Sequence, residues 1–314
     1  MSKKFDTIFP AVAVPFNEDN TINETEFRNY LDWVVSYDGI DGVVCNGHTG
    51  EITGLTAAER KRVTEIVHDE VGDKVTVVSG VSSESTAGAI QGAKDAKAAG
   101  ADGILLMPPH MWLRFGFTEE SAFQFVKDIS DQADIDIIIH LYPATSKAFY
   151  PLDLLLRMCK EISHVKAVKM GTRVQSVYER EVRALRKESP ETKLLTCHDE
   201  YILSSLFPGM DGAVLGFAAC IPELITAGFK AYYQDDWKKI HDIDDRIYAM
   251  ANVIYHGGQP SGEAHARLKE VLVQRGIFSN ALMRKPVMPL SKEVKDNIAN
   301  GVKLSGVEKV NLIK

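Results

Sequence analysis

The sequence IDIIIHLY at residues 135–142 decides how this chain is expected to fold. It is largely apolar and rich in isoleucine, which is typical of a strand buried on both faces of a parallel sheet. Other runs of this kind occur along the chain. We therefore predict eight strands, at residues 8–14, 42–45, 75–80, 103–107, 135–142, 165–170, 193–197 and 213–216.

Longer segments with a helical pattern separate these strands. Residues 56–59 (TAAE) form a capping box, whose threonine and glutamate side chains satisfy free backbone N–H groups. Residues 23–26 precede another helical pattern, Thr118 begins one that runs to about Ala133, and Pro151 stands where a first-turn proline is tolerated. Eightfold alternation of strand and helix favours parallel strands joined by right-handed crossovers, which close into a TIM (β/α)8 barrel. A doubly wound open sheet is the competing α/β arrangement.

The alternation stops after Gly216, and helical patterns follow at residues 222–234, 237–254, 261–275 and 291–301. We therefore predict a barrel catalytic domain over residues 1–222 and a C-terminal helical bundle over residues 223–314. The glycine-rich joint at residues 256–262 follows no strand and lacks the lysine of a P-loop. We interpret it as a turn between two helices.

The composition narrows the class of protein. The chain has 314 residues, of which 45% are hydrophobic and 25% charged, with a formal net charge of −7. No basic cluster stands out, so nucleic acid is not an expected partner. No apolar run approaches the roughly 20 residues of a membrane span, and the N-terminus lacks a signal-peptide pattern. We expect a cytoplasmic protein without a membrane partner.

The cysteines exclude two kinds of site. Cys45, Cys159, Cys197 and Cys220 are widely and irregularly spaced, without a Cys-x-x-Cys pair. This spacing does not fit a zinc knuckle or a dithiol redox motif. We expect free and mostly buried thiols.

Polar and titratable side chains follow several of the predicted strands. In a (β/α)8 barrel the active site forms at this end of the strands and in the loops that follow them. The segments concerned are residues 46–51, 108–112, 140–143, 169–172 and 197–199. The sequence therefore predicts an active site at this rim.

Lys169 is the most informative of these residues. It stands near the end of an apolar predicted strand, where an ammonium group is costly to bury unless it is paired or deprotonated. Desolvation lowers the pKa of a lysine and makes its amine nucleophilic. The alternative is a lysine whose aliphatic chain is buried while its ammonium group extends into solvent. That alternative explains Lys166 better, because Lys166 points to the other face of the same strand.

Two further features accompany Lys169. Tyr142 ends the predicted neighbouring strand, and a phenol beside an amine can shuttle protons during carbinolamine formation and C–C cleavage. A tyrosine that only lines the barrel is the alternative. The loop at residues 47–51 (GHTGE) offers glycines, a hydroxyl and backbone N–H groups that can bind a carboxylate, although an ordinary βα turn has the same composition.

In these three features the sequence resembles the dihydrodipicolinate synthase and N-acetylneuraminate lyase superfamily of class I aldolases. That superfamily has a Gly-Thr/Ser-Thr-Gly-Glu loop after strand two, a tyrosine ending strand five and a lysine ending strand six. The matching positions here are residues 47–51, Tyr142 and Lys169. The resemblance covers essentially the whole chain, including the helical tail.

The resemblance implies a lyase in which Lys169 forms a Schiff base with pyruvate or another 2-oxo acid. The protonated imine would act as an electron sink, Tyr142 as the acid/base and Thr49 as a ligand of the 2-oxo acid carboxylate. It implies neither a metal nor an organic cofactor, and it implies a homo-oligomer, a tetramer or a dimer. Substrate contacts are expected from Thr49, His48, Gly50, His110, Lys147 and Val214.

The sequence departs from the pattern of the superfamily at three positions. His48 replaces the first hydroxyl residue of the loop, and His110 stands about where many members supply a relay tyrosine across a subunit contact. Imidazole titrates near neutral pH and can still move protons, whereas loop histidines without a role are the alternative. Lys147 stands near the place of an arginine that grips a substrate carboxylate in lysine-pathway synthases, and a lysine cannot reproduce bidentate recognition. Trp112, beside His110, either forms an apolar wall against a distal part of the substrate or only packs within the protein.

Several functions are compatible with this sequence. Aldol cleavage or condensation and dehydration of a small hydroxylated 2-oxo acid start from the same imine, and dihydrodipicolinate synthesis proper is a narrower alternative. A non-catalytic 2-oxo acid binding protein is another alternative. A metal-dependent hydrolase barrel would instead use His140, His198 and Asp199, with Lys169 carbamylated as a metal bridge. The predicted first strand, however, has no His-x-His pair.

Overall fold

The computed structural model describes residues 3–255 and 260–313. Within these residues the chain forms eight strands joined by helices. The strands are β1 (Ile8–Pro10), β2 (Gly42–Cys45), β3 (Thr76–Val81), β4 (Gly103–Leu106), β5 (Asp136–Leu141), β6 (Val165–Met170), β7 (Lys193–Thr196) and β8 (Gly212–Leu215). The largest departure from the predicted bounds is in β1, which ends at Pro10 because beyond it only a single bridge, from Ala11 to Val44, continues the pairing.

The strands form one parallel sheet that closes on itself. Their order is β1-β8-β7-β6-β5-β4-β3-β2, and each neighbouring pair in this order is parallel. The remaining seam between β1 and β2 is bridged by Val12, whose N–H donates to the carbonyl of Val44 at 2.9 Å. The predicted TIM barrel is confirmed, and the open doubly wound sheet is wrong.

Helices surround the barrel. Those up to β8 are α1 (Glu24–Val35), α2 (Ala57–Val71), α3 (Thr86–Ala98), α4 (Met111–Phe115), α5 (Glu119–Ala133), α6 (Leu152–Glu161), α7 (Gln175–Glu188) and α8 (Ile202–Ser205). The predicted capping box at Thr56 is present, and Thr118 caps α5 as expected. Pro151 lies one position before the first turn of α6, as its N-cap.

The C-terminal part of the described chain is helical. It comprises α9 (Pro222–Tyr233), α10 (Trp237–Ile254), α11 (Ala264–Gln274) and α12 (Lys292–Ser305). One hydrophobic cluster extends from the barrel helices into these helices, so the tail packs on the barrel. The predicted turn at residues 256–262 falls partly outside the described residues, because 256–259 are not among them. None of the described helices has the length and apolar character needed to cross a membrane.

A second hydrophobic cluster fills the inside of the barrel. It contains one side chain from each strand, among them Ile138, Ala167, Leu195 and Val214, together with Phe5 and Ala11 on either side of β1. Because side chains alternate between the two faces of a strand, the residues two positions further along point into the barrel as well, one layer higher. Lys169 is one of them, so this layer forms the floor of the site at the carboxyl ends of the strands.

Candidate active site

Lys169 faces the interior of the barrel at its carboxyl-terminal mouth. It follows the interior residue Ala167 by two positions and is half-buried. Lys166 on the same strand is exposed, and its amine donates to the carbonyl of Ser163 at 2.9 Å. Burial lowers the pKa of Lys169 below the ordinary value of a lysine. A larger fraction of this amine is therefore uncharged and nucleophilic than for a solvated lysine.

Asp199 supplies a buried carboxyl group near Lys169. Burial raises the pKa of Asp199, while hydrogen bonds from Tyr255 and the backbone act in the opposite direction. The hydroxyl of Tyr255 donates to it at 2.6 Å, and the N–H groups of Phe217 and Gly216 donate at 2.7 and 3.3 Å. These donors hold the carboxyl group near Lys169. The negative charge of Asp199 raises the pKa of Lys169 and so partly opposes the effect of burial.

Tyr142 connects two histidines at the same mouth. Its hydroxyl lies 3.2 Å from Nε2 of His48 and 3.4 Å from Nε2 of His110. The rings of the two histidines are stacked, with centroids 6.2 Å apart. Burial raises the pKa of Tyr142, so the phenol is protonated at neutral pH. His110 belongs to the same chain as Tyr142, and the contact is made without a second subunit.

His140 is a fourth ring in this cluster. It pairs with Lys169 across β5 and β6, and only 7% of its surface is exposed. Its ring centroid lies 4.9 Å from that of Tyr142 and 5.6 Å from that of His48. The sequence prediction considered His140 only as a metal ligand. The two-residue spacing of His140 and Tyr142 could have predicted that they lie side by side, because residues two apart on a strand share a face.

Burial keeps these imidazoles neutral. It lowers the pKa of His48 to about 3 and that of His140 well below its ordinary value, and the charge of Lys169 lowers both further. His265 on α11 also reaches the neighbourhood of Lys169, and burial lowers its pKa to about 4. At neutral pH the mouth therefore contains neutral rings beside a desolvated amine.

The loop at residues 47–51 presents free backbone donors. Its ends are closed by hydrogen bonds from Glu51 N–H to the His48 carbonyl (3.0 Å) and from Ile52 N–H to the Gly47 carbonyl (3.2 Å). The N–H groups of Thr49 and Gly50 have no hydrogen-bond acceptor within residues 3–255 and 260–313. Gly50 is required for close packing, since an added Cβ would lie 3.1 Å from the carbonyl oxygen of Val12.

Thr49 lies beside the Asp199 region of the mouth. A Cβ added to Gly216 would lie 3.6 Å from the Thr49 hydroxyl and 3.3 Å from a carboxyl oxygen of Asp199. The loop therefore faces the same space as Asp199. Its donors are available to an anionic group bound above Lys169.

A buried ion pair ties this loop to the C-terminal helices. The Lys269 amine donates to a carboxyl oxygen of Glu51 at 2.5 Å, and the other oxygen accepts the N–H of Arg284 at 2.8 Å. Lys269 is fully buried and Glu51 is 7% exposed. Burial lowers the pKa of Lys269, and the Glu51 carboxylate opposes this effect. The sequence prediction treated α11 only as part of the tail and did not identify Lys269.

A second charged pair lies at the opposite side of the mouth. Arg173, four residues after Lys169, forms an ion pair with Glu200, which follows β7. His198 is buried, and its Nδ1 lies 3.0 Å from the hydroxyl of Tyr201. Within the part of the chain that the structure describes, no three His, Cys, Asp or Glu side chains converge as metal ligands. His140, His198 and Asp199 therefore do not form the donor set of a hydrolase barrel.

Two of the expected substrate contacts, Lys147 and Val214, make other contacts in the structure. Lys147 is exposed, and its amine donates to the carbonyl of Arg114 at the end of α4 (3.0 Å), because the loop after β5 directs it outward. Val214 is 1% exposed and belongs to the packed layer below the mouth. Trp112 packs against other aromatic rings, which are those of Phe117, Phe125 and Tyr150.

The cysteines are free thiols, as predicted. Cys45, Cys159 and Cys220 are buried, and Cys197 is partly exposed. Cys197 stands two positions after the interior residue Leu195, which places it in the same layer as Lys169. Its thiol contacts the carbonyl oxygen of Met170 at 3.3 Å.

Comparison with known proteins agrees with this architecture. An uncharacterised DapA-like lyase of Thermofilum pendens is 26% identical over 303 residues, covering 95% of this chain and 97% of the relative. A 4-hydroxy-tetrahydrodipicolinate synthase of Bartonella bacilliformis is 27% identical over 299 residues, with 95% and 97% covered.

Solved structures show the same fold at lower identity. YagE, a prophage protein of E. coli K12 solved in complex with pyruvate, superposes with a TM-score of 0.88 at 20% identity, covering 96% of this chain and 98% of YagE. An N-acetylneuraminate lyase of Mycoplasma synoviae gives a TM-score of 0.82 at 21% identity, with 96% and 98% covered. The model of the dihydrodipicolinate synthetase family matches residues 4–304, and the chain therefore belongs to this family.

Proposed function

We propose that this chain is a class I lyase in which Lys169 forms a Schiff base with pyruvate or another small 2-oxo acid. The observation that carries the proposal is the position of Lys169. Its desolvated amine lies in the layer above the packed interior of the barrel, beside the Tyr142 phenol network. Membership of the dihydrodipicolinate synthetase family supports a lyase of the pyruvate-aldolase type.

The first step is attack of the Lys169 amine on C2 of the 2-oxo acid. Loss of water gives a protonated imine, which accepts the electron pair of a breaking C3–C4 or C3–H bond and so stabilises the resulting enamine. A cation formed in a buried site needs a nearby negative charge. Asp199, held by Tyr255 and two backbone N–H groups, supplies it.

The 2-oxo acid carboxylate would bind to the loop at residues 47–51. The free N–H groups of Thr49 and Gly50 point to this role, because successive backbone donors make an anion-binding concavity. The hydroxyl of Thr49 lies on the side of the mouth that Asp199 occupies. The ion pair of Glu51 and Lys269 holds the loop in position.

Tyr142 would move protons during carbinolamine formation and C–C cleavage. Its hydroxyl donates to one neighbouring imidazole and can be reprotonated through the other, since His48 and His110 both lie within 3.4 Å. Imidazole rings accept and return protons as hydroxyl groups do, which compensates for the missing hydroxyl relay.

The reaction class we propose is aldol cleavage or condensation, or dehydration, of a small hydroxylated 2-oxo acid. Dihydrodipicolinate synthesis is less well supported, because Lys147 is exposed and directed towards α4. Homo-oligomerisation is also proposed, since α4 exposes Met111, Leu113 and Phe115 by 46%, 44% and 69%. Light scattering after size exclusion would give the oligomeric state.

The decisive experiment is borohydride trapping. Wild-type protein is incubated with pyruvate, 2-oxobutyrate or 2-oxoglutarate, reduced with sodium borohydride and mapped by peptide mass spectrometry. A stable adduct is expected on Lys169 and is expected to disappear in Lys169→Ala. Lys166→Ala, on the outer face of the same strand, is the matched control and should retain it.

Three outcomes separate the alternatives. No adduct with any of these acids overturns the proposal. An adduct without turnover across hydroxylated sugar-acid, hydroxyproline-derived and aromatic 2-oxo acids indicates a binding protein. Condensation of pyruvate with aspartate semialdehyde indicates a dihydrodipicolinate synthase.

A further inference from the structure

His140 lies beside Lys169 at the mouth of the barrel and has no part in the steps assigned to Lys169 and Tyr142. It stands on β5 directly beside Lys169 on β6, and both residues follow interior residues of the barrel by two positions. Both side chains therefore point into the same layer at the mouth. Among the rings of this cluster, His140 is the one whose backbone pairs with that of Lys169.

The Nδ1 atom of His140 is buried and has no hydrogen-bond partner in the described chain. The residue as a whole is only 7% exposed. Buried polar atoms in proteins are nearly always paired, so an unpaired one indicates a partner that the protein alone does not contain. In a pocket built for a 2-oxo acid, the candidate partner is an oxygen of the substrate.

The other rings of the cluster already have partners. The Tyr142 hydroxyl is engaged by Nε2 of His48 and by Nε2 of His110. His140 packs against the Tyr142 ring with an interplanar angle of 70° and forms no hydrogen bond to it. Its Nδ1, which has no partner within the described residues, is therefore available for a separate proton transfer.

The groups that face His140 keep its ring neutral. Burial and the charge of Lys169 on β6 lower its pKa, and so does His48 on the loop after β2. Within the described residues, no carboxylate is hydrogen-bonded to it that would favour the imidazolium form. A neutral ring can accept a proton from a nitrogen at Lys169 and then return it.

We propose that His140 is a catalytic residue of Schiff-base formation, hydrogen-bonding the C2 oxygen of the 2-oxo acid and carrying the proton that this oxygen needs to leave as water. The proposal rests on the proposed function of Lys169. It divides the proton transfers between two residues: Tyr142 protonates the C2 oxygen when the amine attacks, and His140 carries the proton of the amine to that oxygen when water leaves.

The step balances as follows. The Lys169 nitrogen forms a bond to C2, the C2–O π bond breaks, and the oxygen takes a proton from Tyr142. The nitrogen loses one proton to His140, which gives a neutral carbinolamine. His140 then returns that proton to the hydroxyl, the C2–O bond breaks, and water leaves. The nitrogen lone pair forms the C2=N bond of the cationic imine, and solvent reprotonates the Tyr142 phenolate through His48 and His110.

The test measures the rate of imine formation. Protein is mixed with pyruvate, quenched with borohydride at increasing times and analysed by intact mass across pH 5–9. The variants are His140→Gln, His140→Asn and His140→Ala. His164→Gln is the matched control, because His164 lies at the far end of the same strand pair, where it contacts Asp136 at 3.2 Å.

We expect His140→Gln and His140→Asn to form the same adduct on Lys169 at a rate lower by a factor on the order of 100, the usual scale of general acid–base catalysis. The rate of His140→Ala should rise on addition of free imidazole, which a purely structural role would not produce. The pH dependence of the rate should change in the variants and not in His164→Gln.

Different results overturn different claims. Variants that trap pyruvate at the wild-type rate overturn the role of His140 and leave the role of Lys169 intact. Loss of the native circular dichroism spectrum in all three variants also overturns it, since the ring would then be a requirement of folding. Wild-type protein that forms no adduct with any 2-oxo acid overturns the proposed function itself.

Discussion

The hydroxyl oxygen of Tyr142 lies 3.2 Å from Nε2 of His48, a histidine 94 residues earlier in the chain. The contact joins the loop after β2 to the end of β5. It makes the phenol part of a hydrogen-bonded network at the mouth of the barrel, whereas a tyrosine that only lines the barrel would have apolar contacts. This relation supports an acid/base role of Tyr142.

Tyr142→Phe is expected to lower kcat by a factor on the order of 100 to 10,000, the range typical of a lost general acid or base. The trapped adduct on Lys169 should still form with pyruvate, only more slowly. Tyr150→Phe is the control, because Tyr150 is also a buried ring, packed against Trp112 and Phe117. Equal losses in both variants would indicate that packing, and not the Tyr142 hydroxyl, matters.

The amine of Lys169 should react with electrophiles at lower pH than other lysines. Burial lowers its pKa, and only the uncharged amine is nucleophilic, so its labelling curve should lie to the acid side of an exposed lysine's. The measurement is competitive labelling with a trace isotopic acetylating reagent, quantified for the peptides that contain Lys169 and Lys166. A Lys169 curve at or above that of Lys166 would contradict the prediction.

The pH dependence of the activity should contain no step from His48 near pH 6.5. Burial lowers the pKa of His48 to about 3, so its ring stays neutral and able to accept a proton well below pH 6.5. His48→Gln is therefore expected to lower kcat/KM without removing an acid limb near pH 6.5. A wild-type limb centred near pH 6.5 that vanishes in His48→Gln would show that His48 titrates normally.

The stability of the fold should decrease in acid because of His265. Its pKa is about 4 in the folded protein and about 6.5 in an unfolded chain, so between these values the unfolded chain binds more protons. The free energy of unfolding is therefore expected to fall as the pH drops from 6.5 to 4. Urea denaturation at several pH values tests this, and His265→Gln should make the decrease shallower. An unchanged pH dependence in that variant would contradict the assignment.

The buried pair of Lys269 and Glu51 should be costly to break. Lys269→Met leaves an unpaired buried carboxylate, and removal of one partner of a buried pair typically costs about 3–5 kcal/mol. The exposed pair of Lys292 and Asp296 is the control, and Lys292→Met should change the free energy of unfolding by less than about 1 kcal/mol. Urea denaturation measures both. Similar small effects in the two variants would show that the Glu51 carboxylate is stable without its partner.

The pair should also influence the active site. Glu51 belongs to the loop that carries His48 and Thr49, so Lys269→Met is expected to raise the KM for a 2-oxo acid more than it lowers kcat. Lys269→Met combined with Glu51→Gln removes both charges and should restore part of the stability. A double variant as unstable as the single one would indicate that the hydrogen bonds of Glu51, and not its charge, stabilise the loop.

Much of this architecture follows from local patterns in the sequence. Apolar runs predicted the strands, and capping patterns predicted the starts of helices, to within a few residues. Both kinds of pattern depend on residues that are neighbours in the chain. The period of two along β6 correctly distinguished Lys169 from the outward-facing Lys166. The same period applied to β5 would have placed His140 with Tyr142, although the sequence alone did not show that Nδ1 of His140 would be unpaired.

Other features depended on packing between distant parts of the chain. The ion pair of Lys269 and Glu51 joins residues 218 positions apart, and no local pattern indicates it. The loop after β5 turns Lys147 towards Arg114, and α4 brings His110 to Tyr142 within one chain. These directions are set by how loops of different strands pack together.

The sequence by itself determined the barrel and the inward-facing position of Lys169, because alternation along a strand is a local property of the chain. The tertiary structure decided which groups surround that amine and in which protonation state. Asp199, for example, is buried where it accepts hydrogen bonds from Gly216 and Tyr255, which lie 17 and 56 positions away in the chain. Desolvation by the whole fold, which no single segment encodes, gives Lys169 and its neighbouring imidazoles their lowered pKa values.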